Sequence, residues 1–135
     1  MVKIVIGVGL LAFASLAVWA TVGPLSPPTI KLVLPDEQLD GNDAKHVLIG
    51  VATFPKNGAT RRHSHAGDEY ATVLSGAIEV TDDGGGSRVY RTGEAYHNHR
   101  GVVHIARNAY KGTSVVNFVM VIDKGAPPQV LAPGN

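Results

Sequence analysis

Two histidines one residue apart, His63 and His65, constrain the fold of this 135-residue chain more than any other feature. In an extended strand side chains alternate between faces, so residues i and i+2 point the same way and both imidazoles can reach one ion. Glu69 shares their parity, but Ala66-Gly67-Asp68 reads as a tight turn, so Glu69 is expected to open the next strand and swing back towards the pair. A fourth donor, His104, lies far downstream in a second patterned segment. A chain that uses all four must bring distant segments together around one point. Three imidazole nitrogens and one carboxylate oxygen suit one divalent transition metal ion, whether iron, manganese, nickel, cobalt or zinc. With no cysteine in the chain, no thiolate competes.

Composition points to short strands. The 16 glycines and 8 prolines, with many Val and Ile, favour strands joined by turns over long helices, and the length is that of one domain. The formal charge is only +1, and removing the first twenty residues takes away Lys3 alone, leaving 11 basic against 11 acidic side chains. That balance gives no footprint for nucleic acid or for an anionic membrane surface.

The segment from Gly58 through His63, His65 and Glu69 to Gly76 resembles the first motif of the cupin superfamily: a Gly, then His-x-His, a Glu after three more residues and a Gly after six more. The segment Gly93, His99, Gly101, His104 and Asn108 is similar to the second motif, with every spacing kept. Two departures fall on loops rather than on ligands. Four residues instead of five separate Gly58 from His63, and His99 stands where the family usually has Pro. An isolated His-x-His also suits a solvated turn, whereas two motifs in the right order point to a metal site. The resemblance runs from about Lys31 to Asp123. It implies an all-β fold, a small jelly-roll barrel, with His63, His65, Glu69 and His104 as ligands and a homodimer as a common assembly.

The strand reading agrees with that fold class. Strands are expected at residues 29–34, 46–54, 69–74, 77–81, 87–91, 94–98, 102–108 and 113–122, with residues 35–42 as a polar loop. Asp82-Asp83-Gly84-Gly85-Gly86 reads as a solvated hairpin tip, since its two carboxylates lack the further oxygen ligands calcium needs. On the strand at 102–108, His104 is expected to share its face with Val102, Ala106 and Asn108. Val103 and Ile105 on the other face call for a covering layer, either the first strand or a second subunit. A loose Pro-rich tail is expected over residues 124–135, lying on the barrel or crossing to a partner.

The substrate pocket is expected to include Tyr96, His97, His99 and Asn108. His97 and His99 could serve as proton carriers at the mouth or stand as rim residues on a solvated loop. Arg61, Arg62 and Arg100, with Tyr96, could bind a carboxylate or phenolate there. His46, outside both motifs, reads as structural. The expected function is a metal-dependent enzyme on a small organic oxyanion, with dioxygenase-type chemistry ahead of isomerisation or lyase chemistry and Glu69 as ligand or base. A non-catalytic module that holds a metal or small ligand for sensing or storage is the alternative. Ser64 and Ser75 lack the partners of a serine nucleophile.

Lys3, an apolar run from Ile4 to Ala20, and small residues at Val18 and Ala20 read as a secretory signal peptide at residues 1–20, cut after Ala20. An uncleaved membrane anchor is the other reading, because about 17 apolar residues reach the lower limit for a spanning helix. Residues 21–28 read as a Pro-rich linker, and residues 29–123 as the barrel. Export to the periplasm predicts a mature chain that begins at Thr21. Intact mass of the protein from its own host checks this, and a soluble product that retains residues 1–20 would refute processing.

Overall fold

The computed structural model describes residues 26–134, so the leader and residues 21–25 of the linker lie outside the described residues. Ten strands and no helix make up the described chain. They are β1 (Thr29–Leu39), β2 (Asn42–Phe54), β3 (His63–Ser64), β4 (Gly67–Ser75), β5 (Ala77–Asp82), β6 (Ser87–Arg91), β7 (Ala95–Asn98), β8 (His104–Asn108), β9 (Ser114–Asp123) and β10 (Val130–Leu131). One sheet has the order β1-β2-β9-β4-β7 and the other β10-β3-β8-β5-β6, with antiparallel pairing throughout. Most neighbours within a sheet come from distant parts of the sequence. This is the jelly-roll, or double-stranded β-helix, barrel that the strand pattern predicts.

Period-two burial builds the core. Along β9, Ser114, Val116, Phe118, Met120 and Ile122 face inward while the residues between them are half-buried on the outer side. Leu48, Ala52 and Phe54 of β2 and Ala71 and Val73 of β4 join them, with Ile78 and Val80 from the opposite sheet. Burying side chains of this size contributes about 1.5–3 kcal/mol for each large one, which is what holds the two sheets face to face.

Four expectations are corrected. The polar stretch 35–42 is strand rather than loop, because β1 runs on through Leu39 and turns at Asp40-Gly41, where Gly41 has φ 78°. Pro35 is tolerated there because β1 is an edge strand and its register slips on both sides of Leu34. The turn after His65 is shorter than the Ala66-Gly67-Asp68 reading, since β4 already starts at Gly67. The first strand does not cover Val103 and Ile105, because β1 pairs with β2 in the other sheet. The tail lies on the barrel, one of its two expected placements, but it is not loose: β10 pairs with β3, Val130 opposite Ser64 and Leu131 opposite His63.

Gly67 sits where β4 enters its sheet against β9. A Cβ at this position would lie 2.0 Å from the Val121 carbonyl oxygen and 2.6 Å from the Ile122 Cα, both main-chain atoms that cannot swing aside. Gly67→Ala therefore forces the two strands apart two register steps before Glu69. The variant is expected to lose about 1–3 kcal/mol of stability, the usual cost of overpacking. A shift in the urea midpoint checks it, and an unchanged midpoint would contradict the close approach of β4 to β9.

Candidate metal centre

Two cross-strand pairs face each other across one end of the barrel. In one sheet His63 of β3 lies opposite His104 of β8, and in the other Glu69 of β4 lies opposite Asn98 of β7. His65 falls in the short segment that carries the chain from the first sheet to the second. All five residues are buried, none more than 9% exposed.

The three imidazoles are oriented by the main chain. His63 Nδ1 lies 2.7 Å from the Arg61 carbonyl oxygen, His65 Nδ1 2.6 Å from that of Pro128, and His104 Nδ1 3.1 Å from that of Val102. A carbonyl can only accept, so each ring carries its hydrogen on Nδ1 and presents an Nε2 lone pair to the interior. The ring centroids are 4.4–5.1 Å apart, and one ligand nitrogen from each lies within 4.8 Å of the other two. The Glu69 Oε2 completes the cluster, 3.3 Å from His65 Nε2 and 3.9 Å from His104 Nε2.

Electrostatics follow from that arrangement. Burial holds His63 down at about 4, and it lowers His104 as well, so both rings are neutral at physiological pH. Burial also pulls His65 down, but the hydrogen-bonding and charge of Glu69 outweigh it and raise the ring above its ordinary value. Burial raises Glu69 in turn, yet His65, Asn98 and His104 together keep the carboxyl below its usual range. In the neutral ring His65 Nε2 is buried and has no hydrogen to donate across the 3.3 Å to Glu69 Oε2, so it makes no hydrogen bond there. With its hydrogen on Nδ1, its lone pair faces an ionised carboxylate, and either a cation or a second proton makes that contact favourable. Three inward-facing imidazole nitrogens and a carboxylate fit a divalent transition ion.

Residues 50–122 match the family model for the cupin domain. This chain belongs to the cupin family. Among solved structures the cupin is similar to a cupin domain from Bordetella pertussis Tohama I, with 19% identity, 73% of this chain and 96% of that one covered, and a TM-score of 0.55. It is similar to the DMSP lyase DddQ from Ruegeria pomeroyi DSS-3, with 18% identity, 80% and 54% covered, TM-score 0.64. It is also similar to the polyketide cyclase RemF from Streptomyces resistomycificus, with 22% identity, 80% and 72% covered, TM-score 0.61. At these identities the likeness is one of fold. No curated protein sequence matches the cupin.

A cavity of about 280 Å³ opens onto the cluster and is lined by His63, His65, Glu69 and His104. Its walls are mainly apolar, among them Ile30, Phe54, Ala106, Val116, Phe118 and Met120. Pro27 and Pro28, read from sequence as linker, and Pro128 and Gln129 of the tail also line it. Tyr96 is in the wall as expected. Burial first, then the nearby Glu69 charge, keep its phenol protonated.

The other expected pocket residues sit elsewhere. His97 points outward, stacked on Tyr70 with centroids 4.4 Å apart and bonded through Nε2 to Asp68 Oδ1 at 2.8 Å, and His99 is exposed beside it. Asn108 is buried, but as a staple. Its Nδ2 donates to the carbonyls of Phe54, Pro55 and Gly112, and its Oδ1 accepts from Tyr110 N and Ser114 Oγ. Arg62 pairs with Asp83 and Arg100 with Asp123, so of the three arginines only Arg61 lines the cavity. His46 contacts Asp36 across the β1–β2 ladder.

Sequence reasoning missed Asn98. Its Nδ2 donates to Glu69 Oε2 at 2.6 Å and lies 3.1 Å from His104 Nε2, which fixes the carboxylate against the imidazoles. Strand alternation carried the signal: if His97 and His99 face outward, Asn98 between them faces the site. The sequence does not say which of the two faces is inside.

Proposed function

We propose that this cupin is a metal-dependent enzyme acting on a small organic oxyanion, with one divalent ion held by Nε2 of His63, His65 and His104 and by the Glu69 carboxylate. The observation that carries the reading is the convergence of these four donors on the floor of a mostly apolar cavity of small-molecule size. Such an ion supplies Lewis acidity towards the oxyanion and, when it is iron, oxidative chemistry with dioxygen, which is favoured here over isomerase or lyase chemistry.

The chain's own residues do the rest. Phe54, Val116 and Phe118 exclude water, which strengthens every polar contact inside. Arg61, unlike Arg62 and Arg100, has no acidic partner among the described residues and is available to the substrate's anionic group. The Tyr96 hydroxyl has no hydrogen-bond partner among them either, and as a neutral phenol it donates to a substrate oxygen. Glu69, ionised and oriented by Asn98, accepts a proton when it is not fully engaged as a ligand. The lyase and the cyclase that share the fold set a precedent for catalysis on this framework. The second reading, a binding module for sensing or storage, is favoured by one observation: beyond Tyr96 and the donor cluster, the wall offers few acid or base groups.

Metal occupancy tests the site. His63→Ala, His65→Ala and His104→Ala should each remove most of the bound metal, and Glu69→Ala should weaken it less. Binding needs neutral rings, and acid restores the proton first to His65, the ring whose affinity for it is raised. Occupancy should therefore fall as pH drops from neutral through about 6, the ordinary histidine range, while His63 stays neutral until about 4. Two His variants with wild-type metal content, or flat occupancy down to pH 4, would contradict the site. Function is tested by screening the Fe(II) and Mn(II) forms against catecholates, enols and 2-oxo acids, following the spectrum, oxygen uptake and product mass. Turnover supports the enzyme, binding without turnover supports the module, and a spectrum that no ligand perturbs contradicts both.

A further inference from the structure

The alternation that turns Glu69 and Asn98 inward turns their neighbours outward, and there the chain gathers a second set of donors. Asp68, His97 and His99 each offer a ligand atom within 4.8 Å of the other two. The ladder explains why. Glu69 pairs with Asn98 and Tyr70 with His97, so one register step further places Asp68 beside His99. His97 Nε2 is already 2.8 Å from Asp68 Oδ1, and the His97 and His99 ring centroids are 3.9 Å apart. His97 is held in orientation by its stack on the Tyr70 ring, tilted by only 14°. The Arg100 guanidinium is taken up by Asp123 and by the Ala66 carbonyl, while the Arg100 main-chain N lies 3.4 Å from Asp68 Oδ1.

We infer that Asp68, His97 and His99 form a second, exposed binding site for a divalent transition metal ion of the zinc type, separate from the buried centre. Two imidazoles and one carboxylate make a borderline donor set for zinc, cobalt, nickel or copper and a poor one for calcium or magnesium. Ligand atoms around such an ion at about 2.0–2.2 Å lie roughly 3–3.5 Å apart, so the Asp68–His97 pair is in place and a side-chain rotation of the exposed His99 closes the third edge. A cation here replaces the direct His97–Asp68 contact, and solvent completes its coordination. The site lies away from the apolar cavity, which makes it an ion-binding surface rather than a second catalytic centre. It does not depend on the buried centre holding a metal.

The experiment is a titration of the folded chain, free of any histidine tag, with Zn(II), in parallel with His97→Ala, His99→Ala, Asp68→Asn and His63→Ala/His104→Ala. The wild type should bind two equivalents. Each outer variant should keep the inner equivalent and weaken the other by about tenfold or more, the least that loss of a direct ligand costs. The His63→Ala/His104→Ala protein should keep the outer equivalent. If the buried centre binds nothing, the wild type should bind one equivalent that only the outer variants weaken, which separates the two assignments. Unchanged stoichiometry and affinity in both His97→Ala and His99→Ala, with wild-type thermal unfolding, would overturn the proposal.

Discussion

Three main-chain carbonyls, those of Arg61, Val102 and Pro128, take the Nδ1 hydrogens of three buried histidines, and the site depends on these contacts. They select the tautomer, fix the ring planes and leave three Nε2 lone pairs directed at one region. Two of the carbonyls lie two residues before their histidine, so β3 and β8 orient His63 and His104 locally. The third comes from 63 residues downstream. The tail that pairs β10 with β3 is thus part of the site and supplies the contact that orients His65. A chain cut before Pro128 would keep the three histidines and lose the control over one of them.

Burying an ionised carboxylate among imidazoles costs several kcal/mol unless each polar atom is satisfied. The molecule meets most of that cost with specific partners: Asn98 for Glu69, carbonyls for the three rings, and alternating apolar faces of β2, β4 and β9 behind them. What remains uncompensated is His65 Nε2 beside Glu69 Oε2. The arrangement is therefore poised for a positive charge, and a divalent ion answers all four donors at once where a proton answers only one.

The clustering of His63, His65 and His104 beside Glu69 was legible in the sequence because it rests on short-range rules. His-x-His parity and the spacing of the second motif survive without knowledge of which strand pairs with which. The strands at 46–54, 77–81 and 87–91 and the glycine-rich hairpin were legible for the same reason, since period-two hydrophobicity and turn residues are local signals. The extension of β1 through Pro35 was not, because an exposed polar edge strand has the composition of a loop and is held by its ladder with β2. The outward turn of His97 was not legible, because parity on its strand gives two faces without naming the inner one. Asn108 faces inward, but its amide is consumed by backbone carbonyls that come together only in the folded barrel.

The central claim is that the main chain fixes the three histidines as Nδ1–H tautomers with Nε2 free to bind one ion. Nitrogen-15 NMR of the imidazoles, recorded on the metal-free and Zn(II)-loaded protein at neutral pH, reads this directly through two-bond couplings to the ring protons. The account predicts that His63, His65 and His104 carry a protonated Nδ1 in both forms, and that zinc moves their three Nε2 resonances together. Rings protonated on Nε2 in the zinc form, or three Nε2 signals that zinc leaves in place, would contradict it.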